Sequence, residues 1–235
     1  MKLLLLLATA NLGLAQDRPA FEAASVKLNT SGEGGMSMRG GGSQLEWTNA
    51  SLRYLVQVAY RLHEFDYSAP AWLDSVCVDI VANLPPQHRN DSWPEMLQTL
   101  LAGRFKLAVH RQTREMPGLA LVMDKKGFHA EPAEGEGASW SSGPNVVQGK
   151  NVTMAQFADA LESALDRPVQ DMTALSGRYN LKIQWKPDMP SSNDEADLPG
   201  SVYAAVQELG LRLQAQKIPV EVLVVDHAER VPTEN

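Results

Sequence analysis

Apolar residues recur along the chain at two spacings, one typical of amphipathic helices and one typical of half-buried strands. Over residues 52–59 and 154–161 they return every three or four positions, which places them on one face of an α-helix. Asn, Ser and Thr side chains stand just before both segments, where they can accept hydrogen bonds from the free N–H groups of a first turn. The spacing therefore predicts two helices, and Thr153 with Gln156 predicts a capping box at the second.

Alternating apolar and polar residues predict the strands. Residues 76–84 and 179–185 alternate along the chain, so each segment has one buried face. Trp185 falls on the buried side and is predicted to lie in the core. Residues 21–28 alternate more weakly and predict another strand, which a glycine-rich loop follows over residues 30–43.

The segment after each alternating strand predicts the same further elements. A second helix is predicted around residues 93–101 and around residues 202–209, the first of them with a capping box from Ser92 to Glu95. Each helix should lead into a strand, turn back at a proline, and end on an apolar strand. The strands and turns predicted in this way are 104–107, Pro117 and 119–124 in the first half, and 210–213, Pro219 and 220–226 in the second.

The two halves share this order of elements, which predicts an internal duplication. The predicted fold class is α+β, with two similar βαβαββ modules whose helices pack on small mixed sheets. Residues 16–129 form the first module with its N-terminal strand and glycine-rich loop, and residues 150–235 form the second. Residues 130–149 are rich in Glu, Gly, Ser and Pro, which favours a linker between them.

The first fifteen residues are predicted to be a secretory signal peptide. Lys2 gives a short positive start, residues 3–10 are almost entirely apolar, and small residues precede a cleavage site after Ala15. The stretch is shorter than the roughly 20 apolar residues of a transmembrane helix. The alternative is a buried N-terminal helix. We expect the mature chain to be exported, to the periplasm or to the medium.

The composition narrows the classes of function. The 235 residues carry a formal net charge of −7, which argues against nucleic acid as the partner. No later segment is apolar enough to span a bilayer, so an integral membrane protein is not expected. The single cysteine, Cys77, excludes an intrachain disulfide and a cysteine-based metal cluster. Its apolar neighbours predict a buried, unreactive thiol.

The sequence lacks the motifs of catalytic and cofactor sites. No two of the five histidines have the spacing of a zinc-binding helix, and neither Gly-x-Ser-x-Gly nor Ser-x-x-Lys is present. The glycine run 40–42 lacks the Lys of a phosphate-binding loop. Asp194, Glu195 and Asp197 lie in a segment without the glycine and glutamate of a calcium loop. We therefore predict no catalytic residue, no cofactor and no metal.

Four residues are candidates for contact with a partner. Trp93 and Trp140 lie in segments predicted as polar loops, where an exposed indole can anchor a partner; the alternative is packing against the domain surface. His110 and Arg111 lie in a predicted strand with Arg114 nearby, which favours a solvated basic edge.

Several segments are specific in combination, namely residues 21–27, 49–55, 59–60, 70–73, 96–107, 110–111, 177–179, 224–227 and 232–235. Together they resemble a family of exported proteins of unassigned function that is soil-associated and expanded in acidobacteria. The resemblance covers nearly all of the mature chain and implies no known active residue. The chain departs from the family pattern at Val78, where a tyrosine is usual, and around Ser176–Gly177.

Residues 153–165, 177–181 and 204–213 carry a second likeness. Through them the second half resembles the short N-terminal domain of secretins and TonB-dependent receptors. The resemblance implies a periplasmic βα module that engages other proteins, and a likeness of fold does not by itself fix a function.

The sequence favours a non-enzymatic exported module that binds a protein or peptide of the cell envelope, through strand edges or helix grooves. One alternative is an input or modulator domain of an envelope sensor or peptidase signalling system. Another is a hydrolase that acts on an extracellular polymer. The oligomeric state, the identity of the partner and the choice between periplasm and medium stay open.

Overall fold

The computed structural model describes residues 18–31, 34–86, 92–186 and 200–234. These residues form four α-helices and eleven strands in three small sheets, which confirms the α+β class. The helices are α1 (Leu52–Tyr60), α2 (Trp93–Phe105), α3 (Met154–Leu165) and α4 (Val202–Glu208), with a 3-10 turn at Ala71–Asp74. The strands are β1 (Ala23–Leu28), β2 (Ser37–Gly41), β3 (Gln44–Ser51), β4 (Tyr67–Ser68), β5 (Cys77–Asn83), β6 (Ala108–Met123), β7 (Ser139–Gly143), β8 (Val146–Val152), β9 (Val169–Asp171), β10 (Tyr179–Gln184) and β11 (Leu211–His227).

The three sheets differ in strand order. The first sheet has the order β1-β5-β3-β2 and the second has the order β10-β8-β7, both with antiparallel neighbours. The third has the order β4-β11-β6-β9, and its two short outer strands run parallel to their long partners. The third sheet therefore consists of two long central strands, each flanked over only two or three residues.

The chain divides into two compact units. The first comprises the described parts of Met1–Arg61, Ala71–Leu107 and His227–Asn235, and the second comprises Leu62–Pro70 and the described parts of Ala108–Asp226. The first unit holds the first sheet with α1 and α2. The second holds the other two sheets with α3 and α4. The predicted module boundaries stay a prediction, and the segment predicted as a linker contains β7 and the start of β8.

The helix starts follow the predicted capping chemistry at two places and not at a third. The Ser51 side chain accepts the Tyr54 N–H (3.2 Å) at α1, and the capping box of Thr153 and Gln156 at α3 is confirmed. The box predicted from Ser92 to Glu95 is wrong, because Ser92 makes no side-chain capping bond. Its φ of −94° and ψ of −2° are helical, whereas a capping side chain needs an extended backbone.

The strand predicted at 104–107 is wrong. Arg104 and Phe105 end α2, and Lys106 takes a left-handed φ of 51° as the helix C-cap. The strand begins only at Ala108.

The turns predicted at Pro117 and Pro219 are also wrong, because both prolines lie inside the continuous strands β6 and β11. Leu119 donates its N–H to Pro168 O (2.9 Å), so the odd-numbered residues of β6 turn their backbone groups away from β11. Leu223 likewise donates to Asp66 O (2.9 Å), which gives the odd-numbered residues of β11 the same outward orientation. The N–H that each proline lacks would point to the outer side of its strand, away from the other long strand. Its absence therefore removes no hydrogen bond from the ladder between β6 and β11. Each half consequently ends in one long strand and not in two.

Two asparagines show matching geometry in the two halves. Asn49 and Asn151 precede α1 and α3 by a few residues and have φ of 53° and 55°. Asn49 donates its backbone N–H to Asp79 Oδ1 (2.8 Å), and Asn151 donates its own to Asn180 Oδ1 (3.1 Å). Each side-chain amide also donates to a glycine carbonyl. These details are consistent with an internal duplication, which stays a prediction.

Each unit has its own apolar core. Trp47, Leu55 and Phe105 are buried in the first unit, and Phe157 and Leu181 are buried in the second. Trp185 is buried in the core of the second unit, as predicted. Cys77 is a free thiol of intermediate burial, so the prediction of a buried thiol is wrong. It precedes Val78 on β5, and side chains alternate between the faces of a sheet.

Candidate functional site

The second unit has an open groove of about 610 Å³ beside the middle of its two long strands. Residues 116–118 of β6 and 215–217 of β11 form two sides of it. The segment 166–168, which joins α3 to β9, and Phe65 complete the lining. Its position follows from the register, since β9 reaches β6 only at Leu119 and leaves the preceding residues of that strand uncovered.

Close packing holds the groove in place. The bond from Leu119 N–H to Pro168 O fixes the segment 166–168 against β6. A Cβ on Gly118 would lie 2.6 Å from Ile218 Cδ1 and 2.9 Å from Pro168 O, so only glycine fits there without displacement. The groove is therefore part of the packed structure of the unit.

The lining combines an apolar floor with two cations. Phe65, Met116, Pro117 and Pro168 are apolar residues of the lining. Arg167 and Lys217 are exposed, and neither makes an ion pair with a carboxylate of the described residues. The one carboxylate in the lining is Asp166, within the part of the chain that the structure covers. The groove thus offers apolar contact next to a small excess of positive charge.

Among the described residues, no strand pairs with the outer edge of β6 before Leu119, next to the groove. Because the odd-numbered residues of β6 face outward, the backbone N–H and C=O groups of Arg111, Thr113 and Glu115 point to the side on which β9 is absent. The side chains over residues 110–115 are all exposed. This edge can accept the backbone of another extended segment.

A cluster of a histidine and carboxylates lies next to Phe65, which lines the groove. The His63 ring stacks on Phe65, with centroids 5.1 Å apart and planes 6° apart, and its Nε2 lies 3.7 Å from Glu162 Oε2. Glu162 Oε1 accepts the Val169 N–H (2.9 Å) at the start of β9. The cluster therefore connects the segment with Phe65 to α3 and β9.

Desolvation sets the electrostatics of this cluster. Burial raises the pKa of the Asp66, Asp159 and Glu162 carboxyls, and the positive field of His63 partly opposes the rise. The Val169 N–H also opposes it at Glu162, because it stabilises the charged form. Across the described ranges, no three His, Cys, Asp or Glu side chains are placed to hold a metal ion. The cluster is best explained as a partly desolvated support behind the groove.

The two predicted tryptophan anchors lie in regular elements of different units and not in polar loops. Trp93 stands at the start of the helix that was predicted after Ser92, and Trp140 lies in a strand. Trp93 begins α2 and is half buried, with its ring centroid 5.8 Å from that of Trp47. Trp140 lies on β7 and is 38% exposed. Its ring covers Gly149, where a Cβ would lie 2.8 Å from ring carbons. Each indole packs within its own unit, and whether either also contacts a partner stays a prediction.

His110 and Arg111 lie on the exposed part of β6, and each has an acidic partner on β11. His110 Nδ1 lies 2.8 Å and 2.9 Å from the two Asp226 carboxylate oxygens, and the Arg111 guanidinium donates to Glu221. The acidic partners Asp226 and Glu221 therefore offset most of the positive charge that was predicted at His110 and Arg111. Within the described chain, no Ser, Thr or Cys side chain hydrogen-bonds to His110, so the pair lacks a nucleophile beside it.

Sequence reasoning missed the groove. Phe65, Met116, Arg167 and Lys217 are far apart in the chain and meet through the pairing of β6 with β11. The turns predicted at the two prolines divided those strands and hid that pairing. The predicted acidic loop with Asp194, Glu195 and Asp197, His88 and the N-terminal segment 1–15 lie outside the described residues.

Comparison with known proteins gives a family and no function. A family model described as "Protein of unknown function (DUF3738)" matches residues 53–228, and the chain belongs to this family. The expectation of an uncharacterised family is thereby confirmed, whereas the links to acidobacteria and to the secretin and TonB domain stay predictions. No curated protein and no solved structure matches the chain. None of the described helices is long and apolar enough to cross a membrane.

Proposed function

We propose that this member of the family is an exported, non-enzymatic module that binds an extended segment of a protein partner along the free edge of β6. The observation that carries the proposal is the combination of that edge with the adjoining groove. Proteins usually protect a long strand edge, because an uncovered edge pairs with other chains. Here no described strand covers the edge, which lies beside a preformed, mostly apolar concavity; this is the arrangement of a peptide-binding site.

Binding would use the backbone first and side chains second. An incoming strand would exchange hydrogen bonds with Arg111, Thr113 and Glu115, each bond contributing about 0.5–1.5 kcal/mol net. Alternate side chains of that strand would point to the same face, so one of them could enter the groove at Phe65 and Met116. Backbone pairing supplies affinity, and the groove supplies selectivity.

The carboxylate cluster supports the hydrolase alternative less well than the groove supports binding. Asp66, Asp159 and Glu162 do not line the groove. A catalytic carboxylate has to reach the reacting atoms of the substrate. The export of the chain remains part of the proposal and rests on residues 1–15 of the sequence.

The proposal can be tested with an unbiased peptide library. The full chain is immobilised and panned with a phage-displayed library of randomised octapeptides, and the most enriched peptide is synthesised with a fluorescent label. Thr113→Pro removes one outward N–H of the edge and adds a ring there, whereas Thr113→Val keeps the N–H and serves as the matched control. We expect Thr113→Pro to weaken binding about tenfold or more. Thr113→Val should stay within about twofold of the wild type.

Hydrogen exchange provides a second readout. The amides of Arg111, Thr113 and Glu115 should exchange more slowly when the peptide is bound. Equal affinity of the two Thr113 variants would show that the edge of β6 is not the site. Failure to enrich any peptide above the bare support would refute the binding function itself.

A further inference from the structure

Two cations, Arg167 and Lys217, line the groove. Like other exposed cations such as Lys125 and Lys126, they form no ion pair with a carboxylate of the described residues, whereas Arg111 pairs with Glu221. They differ from those other cations in lining the same concavity, in a chain whose net charge is −7. Positive charge in an acidic protein is therefore available at the groove.

The position of these cations gives the groove a chemical preference. Both line the same concavity as the apolar floor of Phe65, Met116 and Pro168. An arginine guanidinium offers a planar fork of N–H donors that matches a carboxylate, and a lysine adds a second positive charge. Asp166 in the same lining leaves two cations against one carboxylate, which still favours an anionic ligand.

We infer that the groove selects peptide segments in which a large apolar residue lies two positions from an aspartate or glutamate. This inference rests on the proposed function, since it assumes that the ligand is an extended strand on β6. Residues two apart on a strand share a face and are separated by about 7 Å. The apolar side chain then packs on Phe65 and Met116, while the carboxylate meets Arg167 and Lys217.

The binding mode predicts a pattern among the peptides enriched from the octapeptide library. They should carry a Leu, Ile, Phe or Met two positions from an Asp or Glu more often than the unselected library does. The best peptide is compared with two versions of itself, one with Asn or Gln in place of the acid and one with Lys. We expect affinity to fall about tenfold for the amide and further for the lysine version. Raising the sodium chloride to about 0.5 M should reduce the difference, because salt screens exposed charges.

Matched variants of the protein test whether Arg167 and Lys217 cause the preference for acidic peptides. In the double variant Arg167→Gln and Lys217→Gln, the acidic peptide and its amide version should bind within about twofold of each other. The control is Lys125→Gln with Lys126→Gln, which removes the same charge from an exposed turn that does not line the groove. The control should keep the wild-type preference. Circular dichroism and thermal unfolding of each variant confirm that it is folded.

The outcomes separate this inference from the proposed function. Edge-dependent binding in which acidic and amide peptides are equal would overturn the acidic preference alone. The same conclusion would follow if the control double variant lost the preference as fully as the Arg167 and Lys217 double variant. Absence of any binding peptide would overturn both statements.

Discussion

Replacement of Gly118 by alanine should destabilise the second unit, because the new methyl group has no room. A Cβ there would lie 2.6 Å from Cδ1 and 2.7 Å from Cγ1 of Ile218. Both distances are well below the about 3.5–4.0 Å of a comfortable contact between carbon atoms. The new Cβ would also lie 2.9 Å from the Pro168 carbonyl oxygen, which is closer than Cβ atoms come to other heavy atoms in real structures. The side chain of Ile218 can move, but Pro168 O accepts the Leu119 N–H that holds β9 against β6.

The loss of folding free energy in Gly118→Ala follows from crowding against the Ile218 side chain and the Pro168 carbonyl. Overpacking of a filled interior costs about 1–3 kcal/mol, and a backbone carbonyl among the crowded atoms places this site in the upper half of that range. About 2–3 kcal/mol corresponds to a fall of roughly 4–12 °C in the melting temperature of a chain of this size. Urea unfolding followed by circular dichroism measures the free energy directly.

A control and a double-mutant cycle identify the cause. Gly103→Ala adds the same methyl group in α2, where nothing lies within 4 Å, and should stabilise by about 0.5–1 kcal/mol through helix propensity. In an Ile218→Ala background the crowding side chain is gone, so Gly118→Ala should cost at least about 1 kcal/mol less. A neutral Gly118→Ala, or a cost unchanged by Ile218→Ala, would refute the packing argument.

Two further predictions concern protonation and capping. Burial raises the pKa of the Glu162 carboxyl in the folded protein above its unfolded value of about 4.3. The stability that this group contributes is therefore fully present below that unfolded pKa, and it is lost as the pH rises through the pKa of the folded state. Glu162→Gln should therefore gain stability relative to the wild type between about pH 4 and about pH 7, measured by urea midpoints; a constant difference would contradict this. Thr153→Ala should cost about 1 kcal/mol, and Ser92→Ala should cost only a few tenths, in the same assay. Equal costs would contradict the capping assignment.

Local patterns predicted most of the elements, because the information for them is local. The apolar spacing around Leu55 and Phe157 identified α1 and α3, since only one face of each helix is buried. Alternation over 76–84 and 179–185 identified β5 and β10 for the same reason.

The wrong predictions concern residues whose structural effect depends on which groups lie near them in the folded protein. Proline ends a strand when its missing N–H is needed for a ladder, and Pro117 and Pro219 lie where it is not. A serine before Trp-Pro-Glu caps a helix only from an extended backbone, which Ser92 does not have. The groove was out of reach for a related reason, because Arg167 and Lys217 meet only through long-range pairing.

The pairing of β6 with β11 has a consequence for how the chain folds. Residues 124–210 separate the two strands, so the third sheet must close a long loop before its contacts stabilise it, and such topologies fold slowly. During synthesis β6 emerges well before its neighbour β11 exists. Until residues 211–227 have followed, β6 lacks its neighbour β11, and an apolar stretch such as Leu119–Leu121 is more exposed to other chains. The synthesis of β11 thus determines when β6 is protected from aggregation.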